Sequence, residues 1–198
     1  GRWILAGTNL YTGATTISNG TLQLKADAAS STILADTSAI VFNAVNVYAG
    51  GTLELIGQAS TNNVEVLGAL TPTNGSGTVK LTPGSGGTAS IVFASLGTVG
   101  GGGTVNIVAP TSIDTVSFTT TAITNNIANA GLYYDGSNFA FVPGAATALR
   151  APNYTTDTDF ATTSTALTAA RSMEITGAGF SNAVVTIDSL RINGAAAL

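Results

Sequence analysis

The sequence predicts an all-β protein built as a parallel β-helix, that is, a β-solenoid of stacked rungs. A phrase recurs along the chain: Gly-Thr, an apolar residue, a variable residue and a second apolar residue. A turn glycine followed by alternating burial is typical of one half-buried strand. A period of about 20–50 residues indicates a repeat array in which each unit buries its apolar face on its neighbours. The phrase begins at Gly20, Gly51, Gly77 and Gly103, with a further copy at Gly87.

The composition favours the same class. Charged residues make up 8% of the chain, against about 25% in an ordinary soluble domain. The polar share falls instead on Gly, Asn, Ser and 32 threonines. Threonine suits an exposed strand surface, because its branched side chain fits a pleated sheet while its hydroxyl meets water. Such a neutral, hydrogen-bonding surface is typical of bacterial extracellular β-proteins.

Short β segments separated by Gly, Asn and Pro fill residues 1–122, which we predict to be solenoid rungs. Residues 123–154 are predicted to be an inserted hairpin and turn, and residues 155–198 to resume the solenoid. The whole is expected to be one continuous domain cut from a longer chain. The segments predicted as strands in the first region are Trp3–Leu5, Thr15–Ile17, Thr21–Leu24, Ile40–Phe42, Val45–Tyr48, Thr52–Leu55, Val64–Leu67, Val79–Leu81, Ser90–Phe93, Val105–Val108 and Val116–Phe118.

The alternation also predicts which side chains face the interior. The apolar residues of the phrase occupy equivalent positions in each copy and alternate with polar ones, so stacking should place them in columns. The residues predicted to form these columns are Leu22, Leu24, Leu53, Leu55, Val79, Leu81, Val105 and Ile107.

An antiparallel hairpin is predicted over Tyr133–Val142, turning at Asp135–Asn138. Two aromatic segments flank an Asp-Gly pair there, which is a strong hairpin signal. The segment departs from the rung pattern, so we expect it to project from the solenoid or to plug it. Its rings Tyr133, Tyr134 and Phe139 could form a glycan-binding platform, but packing onto a neighbouring sheet is the favoured interpretation.

The residue types available limit the chemistry. The chain has no histidine and no cysteine, which removes Ser-His-Asp catalysis, thiol catalysis and His or Cys metal sites. Paired carboxylates could hydrolyse glycosides, with Asp36, Glu54, Glu65 and Asp114 as candidates. Glu54 and Glu65, however, occupy outward strand positions where a solubilising charge is expected. We therefore predict no enzymatic activity, no catalytic residues and no cofactor.

A calcium site receives little support from the sequence. Asp157 and Asp159 form the one tight acidic pair and could contribute to a calcium site, but calcium needs six to eight oxygen ligands. A solvated loop is the default interpretation.

Six scattered basic residues and a net charge of −4 argue against a nucleic-acid partner. No apolar run approaches the roughly 20 residues of a transmembrane helix, so no membrane insertion is expected.

The segment Leu5–Leu24 resembles the autotransporter-associated β-strand repeat. That repeat follows the approximate pattern Leu-x-Gly-x-Asn-Thr-Tyr-Thr-Gly-x-Thr-x-Ile-x-x-Gly-Thr-Leu-x-Leu. The resemblance implies a right-handed parallel β-helix in a secreted or surface-displayed bacterial polypeptide, and it implies no catalytic residue. Leu10 departs from the usual Thr of the pattern, and Ala14 stands where a second Gly is frequent. The matching positions are Leu5, Gly7, Asn9, Tyr11, Thr12, Gly13, Thr15, Ile17, Gly20, Thr21, Leu22 and Leu24.

The favoured function is a non-enzymatic structural segment of a large bacterial surface or secreted protein, such as a stalk, fibre or adhesin passenger. The alternatives are a filament subunit that stacks end to end, a glycan-binding adhesin module and, least favoured, a polysaccharide-active enzyme. Open rungs expose unpaired strand edges, so the expected partners are further repeats of the same polypeptide or copies of the chain, with surface glycans as an additional candidate. The residues expected at the end-to-end interface are Trp3, Ile4, Leu5, Ile192 and Leu198.

Overall fold

A computed structural model describes residues 1–27, 32–46, 49–120, 126–157, 160–163, 172–176 and 189–192. This part of the chain contains strands and no helix, and its parallel coils stack into a β-solenoid of about four turns. The predicted fold class is therefore confirmed. The chain divides into two compact units, Gly1–Ala151 and Pro152–Leu198.

The described residues of the first unit form fifteen short strands. They are β1 (Arg2–Ala6), β2 (Thr15–Ile17), β3 (Gly20–Lys25), β4 (Ile40–Asn43), β5 (Gly50–Ile56), β6 (Asn62–Leu67), β7 (Leu70–Asn74), β8 (Ser76–Thr82), β9 (Thr88–Ser95), β10 (Thr104–Val108), β11 (Thr115–Thr120), β12 (Asn126–Ile127), β13 (Leu132–Tyr134), β14 (Asn138–Phe139) and β15 (Phe141–Val142).

These strands form three main sheets. Sheet 1 has the order β1-β3-β5-β8-β10-β13-β14, sheet 2 the order β6-β9-β11, and sheet 3 the order β2-β4-β7. The chain visits sheets 1, 2 and 3 in turn, so β5, β6 and β7 make one complete rung. Neighbouring rungs pair in parallel, and each strand therefore stacks on its counterpart from the turn before.

The recurring phrase sets the register in sheet 1. Gly20 pairs with Gly51, and Gly51 pairs with Gly77, so three copies stack in phase. The copy at Gly103 is offset, because Ile107 pairs with Val79 and not with Leu81. The offset is two residues. An even offset keeps every side chain on its original face, whereas an offset of one residue would turn the strand inside out.

The interior columns form largely as predicted. Leu24, Leu53, Leu55, Val79, Leu81, Val105 and Ile107 are buried, whereas Leu22 is half-buried. Leu22 is the exception because it lines a cleft at the first turn of the stack. Burying each such side chain contributes roughly 1.5–3 kcal/mol, and this apolar core holds the three sheets together.

The glycine of the phrase has a packing role. The ring of Phe42 in sheet 3 lies directly over Gly77 in sheet 1, where a Cβ atom would come 2.5 Å from Cδ2 and Cγ of that ring. The side chain of Ile17 occupies the equivalent place over Gly51, one turn earlier. A larger residue at either position would displace a core side chain, so the phrase requires glycine on steric grounds.

The predicted hairpin is present, although its surroundings differ from the expectation. Tyr133 pairs with Phe139 and Tyr134 with Asn138 in antiparallel fashion. Asp135 and Gly136 both have positive φ, at 50° and 69°, a conformation that Asp-Gly accommodates. The hairpin does not project from the solenoid, and its second strand covers the end of sheet 1. Its first strand, β13, pairs in parallel with β10 as the next strand of sheet 1.

The end of the hairpin also differs from the prediction. Its second strand, β14, ends at Phe139, and the following strand β15 pairs with β12. Between these two strands Ala140 is fully buried, its N–H donates to the carbonyl of Leu132 at 2.9 Å, and its carbonyl accepts the N–H of Ala128 at 2.8 Å.

The second unit contains one described sheet. Its strands β16 (Phe160–Thr163), β17 (Ser172–Ile175) and β18 (Ser189–Ile192) pair in parallel in that order. Arg191 lies 3.6 Å from the carboxylate of Glu174 and over the ring of Tyr154. That residues 155–198 continue the solenoid of the first unit stays a prediction. Across all the residues described, no helix is both long and apolar enough to cross a membrane.

Candidate functional site

The strand β1 carries two exposed apolar side chains, Trp3 and Ile4. β1 is the terminal strand of sheet 1 and pairs with β3. Trp3 is in register with Leu22, and Leu5 with Leu24, so both side chains point toward the interior side of the sheet. Trp3 is nevertheless 77% exposed, because no described rung lies above it.

A cleft of about 460 Å³ opens beside this edge. Its apolar wall is formed by Trp3, Leu5, Tyr11, Ile17 and Leu22, and the rest of the lining consists of glycine and small polar residues. The hydroxyl group of Tyr11 lies 3.0 Å from that of Thr15, which fixes the tyrosine at the rim. The cleft is therefore the uncovered end of the hydrophobic core.

The other end of sheet 1 is closed. There β13 is covered by the antiparallel strand β14, and Leu132, Phe141 and Val142 are buried. Among the described residues, sheet 1 therefore ends in the strand β1 on one side and in the antiparallel strand β14 on the other.

The remaining residues predicted for an end-to-end interface lie in the second unit. The backbone of Ile192 pairs with that of Ile175 inside the three-stranded sheet. The position of the Ile192 side chain and the whole of Leu198 fall outside the described part of the chain. Ile4, which was predicted with Trp3 and Leu5, is 51% exposed on the outer face of β1.

The three aromatic residues proposed as a platform are divided between two faces. Tyr133 and Phe139 stack on the outer face of sheet 1, with ring centroids 5.6 Å apart and planes inclined by 22°. Both are half-buried. Tyr134 packs against the core instead. Burial raises the pKa of the Tyr134 hydroxyl, and the negative charges of Asp135 and Asp114 raise it further.

The expectation that Glu54 is a solvated surface charge is wrong. Its side chain is on the outer side of β5, but the residue is only 7% exposed. Its carboxylate accepts hydrogen bonds from Gln23 Nε2 at 2.6 Å and Thr82 Oγ1 at 2.7 Å, and Lys80 Nζ lies 2.8 Å away. Burial alone would raise the pKa of Glu54, but the three hydrogen bonds and the lysine charge lower it overall.

The same expectation for Glu65 is also wrong, and here the side chain points inward. Glu65 is fully buried, whereas its neighbours Val64 and Val66 are 45% and 37% exposed. Its carboxylate accepts the backbone N–H groups of Ile33 at 2.9 Å and Leu34 at 2.7 Å. Burial raises the pKa of Glu65 to about 7 against the effect of these two bonds, and the charge of Asp36 adds to the rise.

Asn63 and Asp114 are two further buried residues whose side-chain oxygens accept backbone N–H groups at sheet 2. Asn63 Oδ1 accepts the N–H of Gln58 at 2.7 Å, and Asp114 Oδ1 accepts that of Ala89 at 2.9 Å. Both residues are buried. Sequence analysis missed this role, although one signal was present: Asn63, Glu65 and Leu67 share one phase of the strand.

The four candidate carboxylates do not form an accessible pair. Glu65 and Asp36 are close enough to interact electrostatically, but a fully buried carboxyl group cannot reach a glycosidic oxygen. The Asp157 carboxylate of the candidate calcium site accepts the N–H of Asn153 at 2.6 Å, and Asp159 lies outside the described residues. Within the described ranges no three potential metal-ligating side chains cluster.

A comparison with known protein families finds a match for the segment that contains β1. Residues 1–24 match the passenger-associated-transport-repeat. The match confirms the resemblance of Leu5–Leu24 to autotransporter-associated repeats, and it spans β1, β2 and nearly all of β3. It covers 24 of the 198 residues. No curated protein and no solved structure matches the chain.

Proposed function

We propose that this chain is a structural segment of a secreted or surface-displayed bacterial autotransporter passenger, and that it acts as a rigid spacer. The observation that carries the proposal is the parallel stacking of the recurring phrase in sheet 1, whose first copy lies within the residues 1–24 that match a passenger repeat. Each turn adds backbone hydrogen bonds and another layer to the same apolar columns.

The mechanical role follows from the bonding pattern. In a stacked parallel sheet, a rung contacts the rungs before and after it, so stability is a sum over neighbours. Backbone groups that are paired on both sides do not readily enter a protease active site, which requires an extended unpaired strand. The module would therefore resist proteolysis outside the cell while contributing length and stiffness.

Limited proteolysis of the full chain tests this role. We expect a broad-specificity protease to leave a fragment close to Gly1–Ala151 intact, because that unit is the continuous stack. Leu55→Lys, which places a charge in the interior column, should make the same region cleavable. The matched variant Thr52→Lys changes an outward position of the same strand and should not. Rapid digestion of the unaltered first unit would contradict the proposal.

A display experiment tests the location. The chain, joined to a secretion signal and an outer-membrane translocator, should present an epitope placed before Gly1 on the cell surface. Retention of the epitope inside the cell would count against a passenger role, provided that an established passenger is displayed by the same carrier.

Glycan binding is a second candidate function, favoured by the Tyr133–Phe139 pair. The two rings lie side by side on the outer face of sheet 1, and the neighbouring position in register is Asn106, a neutral polar residue. Aromatic faces flanked by amide and hydroxyl groups suit sugar rings. A glycan array should show binding that Phe139→Ala abolishes and Tyr11→Ala leaves intact. Equal binding by both variants would place the contact elsewhere.

The filament alternative has less support. Parallel stacking of copies of the first unit end to end would need a suitable edge strand at both ends, and at one end sheet 1 terminates in β14, a two-residue strand that pairs antiparallel with β13.

A further inference from the structure

The outer face of sheet 1 carries a row of six uncharged side chains that lie in register across its strands. Each strand contributes one residue, from β14 through β13, β10, β8 and β5 to β3. All six residues are half-buried. Adjacent strands lie about 4.8 Å apart, so the row is about 24 Å long and runs along the stack. Its members are Phe139, Tyr133, Asn106, Thr78, Thr52 and Thr21.

The polar groups of this row keep hydrogen-bonding capacity that a ligand can use. The amide oxygen of Asn106 accepts the N–H of Gly136 at 2.7 Å, which orients the amide and leaves its nitrogen as a donor. Neither that nitrogen nor the hydroxyl groups of Thr52 and Thr78 bond to any residue that the structure describes. A ligand with many hydroxyl groups can pair with each of them, because threonine both donates and accepts.

The charged side chains next to the row are bonded to one another instead. Glu54 accepts hydrogen bonds from Gln23 and Thr82, and its carboxylate lies 2.8 Å from the ammonium group of Lys80. The charge of this lysine is therefore already neutralised. The hairpin turn adds Asp135, an exposed negative charge beyond the aromatic end of the row. An acidic ligand gains little from such surroundings, whereas an uncharged one meets no penalty.

The aromatic end of the row suits the ring of a sugar. The rings of Tyr133 and Phe139 are nearly parallel, with centroids 5.6 Å apart and planes inclined by 22°. Tyr133 lies between Phe139 and Asn106 in the row. A sugar ring placed over Asn106 would therefore contact the tyrosine and meet the amide donor. Aromatic side chains offer an apolar face for the C–H groups of the sugar, and its hydroxyl groups pair with the polar neighbours.

We infer that this row is the binding site for a linear, uncharged glycan that lies along the stack, with one sugar unit against Tyr133 and further units over Thr78 and Thr52. The inference rests on the glycan-binding function proposed above and names its substrate class. The sugar units of an extended glycan repeat at nearly the spacing of the strands, so successive units meet successive rungs. The backbone ladder fixes that spacing before the ligand arrives, which reduces the entropic cost of binding.

Calorimetry on the full chain tests the length and the charge of the ligand. The probes are the neutral hexasaccharides cellohexaose, xylohexaose and chitohexaose, the disaccharide of each, and an acidic hexagalacturonate. We expect a neutral hexasaccharide to bind about tenfold more tightly than its disaccharide, since it gains one or two further hydrogen bonds along the row. Tighter binding of the hexagalacturonate, equal affinity for both lengths, or no binding of any neutral hexasaccharide would overturn the inference.

The variant Thr78→Val separates the row from the aromatic pair. It removes one hydroxyl group and keeps a β-branched side chain, so the strand should fold as before. We expect binding of the hexasaccharide to weaken about fivefold, the effect of one hydrogen bond, and binding of the disaccharide to stay the same. The matched control Thr71→Val alters a half-buried threonine of sheet 3 and should change neither. Unaltered hexasaccharide binding by folded Thr78→Val would overturn the inference.

Amide chemical shifts of the unaltered chain provide a second arm that needs no substitution. A hexasaccharide along the row should shift the signals of Asn106, Thr78 and Thr52. A ligand confined to the hairpin should shift those of Tyr133 and Phe139 alone. The second pattern would overturn the inference and leave the glycan-binding function standing, whereas absence of all glycan binding would remove both. Neither result alters the protease resistance of the first unit, so the spacer role is tested separately.

Discussion

β5 and β6 are consecutive strands of one rung, and each has a glutamate near its centre, but the two glutamates have opposite surroundings. In β5, Leu53 and Leu55 fill the interior and Glu54 lies on the outer side, among side chains that solvent can still reach. In β6, Glu65 is inside and fully buried, while Val64 and Val66 face outward.

The difference arises from what lies beside each strand. β5 has a paired strand on both sides, β3 and β8, so its interior needs only apolar filling. Sheet 2 begins at β6, and in the preceding turn Ile33 and Leu34 are buried without forming a strand. Their N–H groups therefore need another acceptor, and the Glu65 carboxylate supplies it. A buried charge is tolerated because leaving two backbone donors unpaired would also be costly.

The largest expected effect comes from Glu65→Leu. The change keeps an interior side chain but leaves the N–H groups of Ile33 and Leu34 without their acceptor, at a cost of about 1–3 kcal/mol each. Unfolding in denaturant should show a loss of roughly 2–6 kcal/mol. The control Glu54→Leu should lose about 1 kcal/mol, because Lys80 and Thr82, two of its three partners, can bind water instead. Equal losses of stability for the two variants would contradict the claim that Glu65, unlike Glu54, is needed as an acceptor for buried backbone N–H groups.

The second-largest expected loss of stability comes from shortening an interior apolar side chain of β5, compared with an outward-facing one of β6. Leu53→Ala opens a cavity in a fully buried column and should cost about 2–5 kcal/mol. Val64→Ala changes an outward-facing side chain and should stay within about 0.5 kcal/mol. The midpoints of thermal unfolding, measured on both variants, check the prediction. A larger loss for Val64→Ala would mean that β6 has its valines inside, as simple alternation suggests.

The smallest effect concerns pH. The folded pKa of Glu65 is raised to about 7 from an ordinary 4.5, so the folded chain binds more protons than the unfolded chain between these values. The contribution of Glu65 to stability is therefore greatest below about pH 4.5 and declines as the pH rises through 7, by about 1–3 kcal/mol. Glu65→Gln should remove this slope from the denaturant-measured stability.

Glu54 provides the matched control for the pH experiment. Its folded pKa is lowered, so its contribution is present above 4.5 and is lost only as the pH falls through the folded value. Glu54→Gln should accordingly leave the slope between pH 4.5 and 7 unchanged. A wild-type profile that is flat over this interval would contradict the assignment to Glu65.

Local signals sufficed for sheet 1 because each strand begins with the same glycine and alternates with the same phase. Leu53, Val79 and Val105 could be assigned to the interior from sequence alone, and a turn of Asp135 and Gly136 could be recognised from residue type. In β6 the same rule fails, since Val64 and Val66 alternate with Glu65 in a pattern that reads equally well with the opposite face inside. The candidate carboxylates could be named from residue type alone. The burial of Glu54 and Glu65 could not be predicted in this way.

The sequence by itself determined the solenoid class, the similarity of residues 1–24 to a passenger repeat and the apolar columns of sheet 1, because these depend on spacing within a few residues and on the length of one turn. Only the tertiary structure decided the phase of β6, the two-residue offset of β10 and the place of β13 as the next strand of sheet 1. Each of these depends on backbone groups from distant turns. Glu65, for example, faces inward to satisfy donors 31 and 32 residues away, and no local pattern records where those donors lie.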